Sequence, residues 1–223
     1  MSNITTKNKI GIKPGGLHSR IAEKQLYDEV VPPELKEDNV NNLPNRIAIM
    51  IDLSGSMGGE PVKLLEQAIQ DFIQKANMAD TAIAVESFPE QIRIELTNDK
   101  MKLWMLCMGL KADGGTPMYE TMHYCLSHYK MTRAILISDG QPNESPRAKA
   151  EEYKNMEIPI DTVHIGDSTS GEDVLKNISD ITGGLFVKFK DVKSFATAFA
   201  YLLPETRSQA ATLFLTSGAN EVR

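Results

Sequence analysis

Long apolar runs are missing from this 223-residue chain. None approaches the ~18–20 residues of a membrane span, so no membrane partner is expected. Cysteine is scarce: two residues, Cys107 and Cys125, are too few for a disulfide scaffold. Both lie in apolar surroundings (MLCMGL and HYCLSHY) and read as buried free thiols. Positive charge is also short. Twenty-four Lys and Arg against 30 Asp and Glu leave a formal charge of −6. That balance argues against a generic nucleic-acid binder, whose affinity for phosphate comes mainly from Lys and Arg. The opening MSNITTKNKIGIKPGG has no apolar core of a secretory signal, so the expected location is cytoplasmic. No sequence period repeats. A single compact domain of this length buries roughly 70–75% of its unfolded surface, so it folds without a metal staple.

Residues 1–45 read as an N-terminal arm or connector. They are rich in Lys, Asn, Pro and Gly, with one helix-like patch at 18–29 and an extended stretch, VVPPELKEDNVNNLP. The pattern changes at residue 46. RIAIMIDL is a nearly continuous apolar run, as expected of a strand buried on both faces. Residues 61–77 then carry Val62, Leu65, Ala68, Ile69, Phe72, Ile73 and Ala76 at helical spacing, with Pro61 in the first turn where it is tolerated. Residues 81–88 and 92–96 suggest a hairpin. Residues 100–110 and 118–129 look helical, 133–138 (RAILIS) is a second buried strand, and 145–156 is a helix with Ser145 as a candidate cap. Strand 160–165, helix 173–182, strand 185–189 and helix 193–203 follow, and 204–223 reads as a polar tail or an extra helix. Strands alternating with helices predict an α/β fold: a mainly parallel central sheet with one antiparallel edge strand and helices on both faces. In such folds ligands bind beyond the carboxyl ends of the strands.

Those ends carry a set of oxygen side chains. Asp52-Leu53-Ser54-Gly55-Ser56 follows the first strand, Gly114-Gly115-Thr116-Pro117 lies in a mid-chain loop, and Ser138-Asp139-Gly140 ends the RAILIS strand. If the strands are neighbours, Asp52, Ser54, Ser56, Thr116 and Asp139 share one rim. All five are hard oxygen donors, which favours Mg²⁺, then Mn²⁺, with Ca²⁺ behind them, over Zn²⁺. Three neutral hydroxyls leave a bound ion electrophilic, so such a site invites a carboxylate from outside the molecule. Glycines around Thr116 suggest a loop free to shift by an ångström-scale step.

DLSGSM, GGTP and SDG in this order and context resemble the von Willebrand factor A domain with its metal-ion-dependent adhesion site. The resemblance spans residues 46–203 and implies a Rossmann-like fold. It maps the adhesion site onto Asp52, Ser54, Ser56, Thr116 and Asp139, with no position missing. SGSMGGEP, GGTPMYETM and SDGQPNE further resemble the intracellular bacterial branch that includes TerY-like proteins of tellurium-resistance and stress operons. That likeness implies a protein partner presenting Asp or Glu, such as an AAA+ ATPase, a kinase or a phosphatase.

Competing readings are a metal-dependent phosphoryl-transfer enzyme and a metal-free scaffold. The enzyme reading lacks a second aspartate two residues after Asp52, where Ser54 stands. It also lacks the G-x-x-x-x-G-K-S/T phosphate loop and the G-x-S-x-G elbow. No catalytic residue is therefore assigned. Asp167 reads as a loop-capping acid and Trp104 as core. The methionines in helical stretches read as core filler. His123 and His128 are five apart on a helix and do not share a face.

Overall fold

A computed structural model describes residues 37–140, 142–190, 194–195, 199–204 and 209–223 of the protein. Residues 1–36, with most of the expected arm and its helix-like patch, lie outside the described residues. A short 3-10 helix, Glu37–Asn42, leads into the domain and buries Val40.

Seven strands form one sheet: β1 Asn45–Asp52, β2 Thr81–Phe88, β3 Arg93–Thr97, β4 Arg133–Ser138, β5 Ile160–Ile165, β6 Phe186–Phe189 and β7 Glu221–Val222. Their spatial order is β3-β2-β1-β4-β5-β6-β7. The five inner strands run parallel. β3 lies antiparallel on β2, as the hairpin reading predicts, with a register shift between Ile83 and Val85. The two-residue β7 adds an antiparallel partner to β6 at the other edge. β1, β2, β4 and β5 are buried almost throughout, which explains the apolar runs IAIMI of β1 and AILI of β4.

Among the described residues, six α-helices are defined: α1 Glu60–Lys75, α2 Lys100–Leu106, α3 Met118–His128, α4 Arg147–Asn155, α5 Thr169–Thr182 and α6 Ala210–Thr216. Ile47, Ile49 and Ile51 of β1 pack with Leu65, Ile69 and Phe72 of α1 in one core layer. Ala48 and Met50 face the opposite layer with Met122 of α3, Tyr153 of α4 and Leu175 of α5. Period-two alternation on the strand thus meets 3.6-residue periodicity on the helices.

Several local expectations shift. α2 stops at Leu106, before the left-handed Gly109. Ser145 does not cap α4, which starts after Pro146 with no side-chain cap. Ser168, not Asp167, caps α5 by accepting the Gly171 N–H at 3.3 Å, and the helix starts four residues earlier than expected. The helix expected over 193–203 falls partly outside the described residues; within them, Phe199–Leu202 forms a 3-10 turn. The tail is anchored rather than only polar: Phe214 of α6 is fully buried, edge-on to Phe189 at 5.8 Å. Trp104 is half-buried rather than core, on a helix whose neighbours Met101, Met105 and Met108 are exposed. Both cysteines are buried and free. Burial pushes the Cys107 thiol up to about 12 and the Cys125 thiol up as well. No helix among the described residues is long and apolar enough to cross a membrane.

Candidate metal centre

The strand order creates the site. The chain leaves β1 toward β2 on one side and arrives at β4 on the other, so β1 and β4 flank a topological switch point. Ile51 pairs with Ile137, which brings Asp52 and Ser138 to the same level at the sheet's carboxyl edge. The Ser138 hydroxyl donates to Asp52 Oδ2 at 2.5 Å, closing a sequence gap of 86 residues. The Ser54 N–H donates to Asp52 Oδ1 at 2.8 Å. Asp52 is fully buried, with both oxygens engaged.

The hydroxyls continue the chain of contacts. Ser54 and Ser56 lie 3.1 Å apart, and Ser56 donates to Asp139 Oδ1 at 3.0 Å. Thr116 joins them across Gly140. A methyl placed on the Gly140 Cα would lie 3.8 Å from Thr116 Oγ1, 3.9 Å from Asp52 Oδ2 and 4.0 Å from Ser56 Oγ. The bare glycine therefore borders a small cradle onto which three oxygens converge. All five residues singled out from the sequence meet at this rim. Among the described residues no group of three or more His, Cys, Asp and Glu is placed to hold a metal. The set here has two carboxylates and three hydroxyls.

Electrostatics fit a cation. Burial lifts the Asp52 carboxyl above its ordinary range; hydrogen bonds from Ser138 and Ser54 oppose this, and the neighbouring Asp139 charge adds to the rise. Burial also raises Asp139, against its bond from Ser56. Two neighbouring acids, one fully buried and one half-buried, are relieved by a positive charge close to both. The donor chemistry and the cradle at Gly140 both match a hard divalent ion.

Hydrogen bonds tie the Thr116 loop to its neighbours on two sides. On one side the Asp113 N–H donates to Leu53 O at 2.8 Å and the Gly55 N–H donates to Gly114 O at 3.1 Å. On the other, the Asn143 N–H donates to Thr116 O at 3.0 Å. Glycine is needed at 114 for its φ of 87°, and a side chain there would meet Pro89 at 3.2 Å. Ser138, Gly140 and Asn143 carry no role in the sequence reading. Ser138 left one signal, a hydroxyl ending an otherwise apolar strand.

Among the described residues, His123, His128 and His164 make none of the contacts at this rim. His123 Nδ1 lies 3.1 Å from Lys149 Nζ, and His128 Nδ1 lies 2.9 Å from Tyr124 O. His164 is fully buried on β5 with neither ring nitrogen hydrogen-bonded. Burial, and secondarily the Lys188 charge, lower its pKa.

A doubly covered, mainly parallel sheet with an oxygen-lined rim at its switch point defines a Rossmann-like α/β domain built around a candidate cation site. The profile of the von Willebrand factor type A domain matches residues 47–200, and the chain belongs to that family. Domains of this family are generally protein-interaction modules. The vWF domain of the type V pili tip protein Mfa5 from Porphyromonas gingivalis has a TM-score of 0.61 at 15% identity, over 81% of this chain and 98% of that one. The conserved hypothetical protein BatB from Bacteroides thetaiotaomicron has a TM-score of 0.60 at 14% identity, over 75% of this chain and 99% of that one. The SpRpn10 VWA domain has a TM-score of 0.59 at 15% identity, over 69% and 94%. These likenesses carry the fold alone. The uncharacterised protein sll0103 of Synechocystis sp. is 23% identical over 160 residues, which are 64% of this chain and 37% of that protein.

Proposed function

We propose that this chain is a metal-dependent protein-interaction module of the adhesion-site type. Its ligands are Asp52, Ser54, Ser56, Thr116 and Asp139, and its partner presents an Asp or Glu. The observation that carries this reading is the convergence of three oxygens, from the end of β1 with the loop after it and from the Thr116 loop, on the bare Cα of Gly140 in a third segment. When bound, Mg²⁺ or Mn²⁺ supplies an electrophilic point that accepts a carboxylate from the partner.

The chain's own residues do the rest. Ser54 N–H and the Ser138 hydroxyl hold Asp52 as a fixed charge beneath the rim. Ser54, Ser56 and Thr116 present neutral oxygens, so only the two carboxylates offset the charge of a bound ion and a carboxylate from the partner can still join it. The Ser54 and Ser56 hydroxyls pair with each other and with Asp139 rather than with an imidazole. That pairing supports ligation over nucleophilic catalysis. The resemblance to TerY-like proteins extends the proposal to an AAA+ ATPase, a kinase or a phosphatase as partner, in a stress-response or tellurium-resistance setting.

The test is calorimetry with Mn²⁺ on protein stripped by chelator. Wild type is expected to bind one ion reversibly, and saturation at about 100 times Kd adds about 2.7 kcal/mol to stability. The Ser54→Ala, Ser56→Ala double variant is expected to lose at least tenfold in affinity, about 1.4 kcal/mol. Unchanged binding in that variant removes the assignment. Capture of partners from lysate with and without Mg²⁺ then tests the metal requirement itself.

A further inference from the structure

Asn143 touches the site without belonging to the ligand set. It lies in the loop after β4, four residues beyond Asp139, and its side chain is exposed. Two hydrogen bonds join it to a single residue across a sequence gap of 27. The Thr116 N–H donates to Asn143 Oδ1 at 3.3 Å, and the Asn143 N–H donates to Thr116 O at 3.0 Å. The amide also lies over Gly115, where an added methyl would sit 3.3 Å from Nδ2 and 3.4 Å from Oδ1. The glycine thus keeps the space the amide uses. Backbone bonds from Asp113 and Gly55 already tie residues 113–114 to the β1 loop. Asn143 ties the other end of the same segment to the loop that carries Asp139.

We infer that Asn143 is the positioning residue of this centre: its side-chain oxygen sets where Thr116 Oγ1 lies and so sets metal affinity. The inference rests on the metal reading above and adds a residue to it. Asparagine suits the task because one residue supplies a backbone donor and a side-chain acceptor to the backbone C=O and N–H of a single residue. Its exposure means truncation removes this tie and little packing. Residues that orient a ligand from behind typically change metal affinity by about 10–100-fold when removed.

The experiment compares wild type with Asn143→Ala, Asn143→Asp and Gly115→Ala. Three quantities are read: Mn²⁺ affinity by calorimetry, amide hydrogen exchange of the metal-free full chain, and its thermal melting midpoint. Asn143→Ala is expected to speed exchange at the Thr116 amide by roughly tenfold, as loss of one hydrogen bond implies. Mn²⁺ binding weakens by roughly tenfold, while the midpoint of thermal melting stays near wild type. Asn143→Asp keeps the acceptor oxygen and restores exchange and affinity. Gly115→Ala crowds the amide by a few tenths of an ångström and shifts exchange and affinity in the same direction by less than Asn143→Ala. The inference is overturned if Asn143→Ala leaves exchange and affinity unchanged. It is equally overturned if Asp fails to rescue, or if exchange rises across the whole domain. If wild type binds no Mn²⁺, the metal reading fails. The exchange arm then still decides whether the tie to Thr116 exists.

Discussion

Replacing Gly140 with alanine separates folding from metal binding, because its two effects have opposite signs. The backbone at Gly140 lies outside the left-handed region, so an L residue fits without strain. The new methyl meets Thr116 Oγ1, Asp52 Oδ2 and Ser56 Oγ at 3.8–4.0 Å, ordinary contact distances in the metal-free protein. A Gly-to-Ala change at a compatible position stabilises by about 0.4–1 kcal/mol, chiefly by restricting the unfolded chain. For a domain of this size each kcal/mol moves the melting midpoint by about 2–4 °C. Gly140→Ala is therefore expected to melt about 1–4 °C higher in chelator. The same methyl borders the space an ion must occupy when ligand oxygens stand ~2.0–2.1 Å from it, and it displaces the waters that Mg²⁺ retains. Mn²⁺ affinity is expected to fall at least tenfold, about 1.4 kcal/mol. The assays are calorimetric titration with Mn²⁺ and scanning calorimetry with and without metal. Wild-type Mn²⁺ affinity in the variant refutes convergence on an ion at this point. A melt several degrees below wild type in chelator refutes the claimed free space.

Other expectations concern stability. Glu172 on α5 bonds Lys176 at 2.7 Å and also pairs with Lys188. Their bonds hold its carboxyl at about 2 instead of 4.5. The gap sets a ceiling of about 3 kcal/mol, which screening around these partly accessible lysines reduces to about 1–2 kcal/mol. The folded value is depressed, so this stability is present above pH 4.5 and disappears as pH falls toward 2. Glu172→Gln is expected to lower urea stability at pH 7 and to converge with wild type by pH 2–3; a difference that does not change with pH contradicts the ion-pair account. Gly184 lies against β5, where an added Cβ would stand 1.8 Å from Ile160 O and 2.3 Å from Ile160 C. Gly184→Ala is expected to cost more than about 3 kcal/mol, because backbone rather than a flexible side chain must move. A melt within about 2 °C of wild type would show that the strand accommodates it.

The amino-acid pattern alone carried the alternation of strands and helices, the buried faces of α1 and β1, and the identity of the five rim oxygens. Each is a local property. Burial on both faces makes a strand continuously apolar, a core-facing helix repeats every 3.6 residues, and DLSGS places its hydroxyls in the loop directly after its strand. Partner choice is not local. Nothing in the RIAIMIDL run says that it lies between β2 and β4, yet that order brings Ser138 to Asp52 and opens the switch point between them. Only the folded chain showed that Gly140 borders the cradle, that Asn143 and the β1 loop hold the Thr116 segment from two sides, and that Phe214 anchors the tail beside Phe189. Trp104 went the other way, half-exposed where its helical position suggested core. Side-chain periodicity encodes how much of a residue is buried and on which face. The contacts that bring distant loops together depend on strand order and on packing between layers, which emerge only when the whole sheet is assembled.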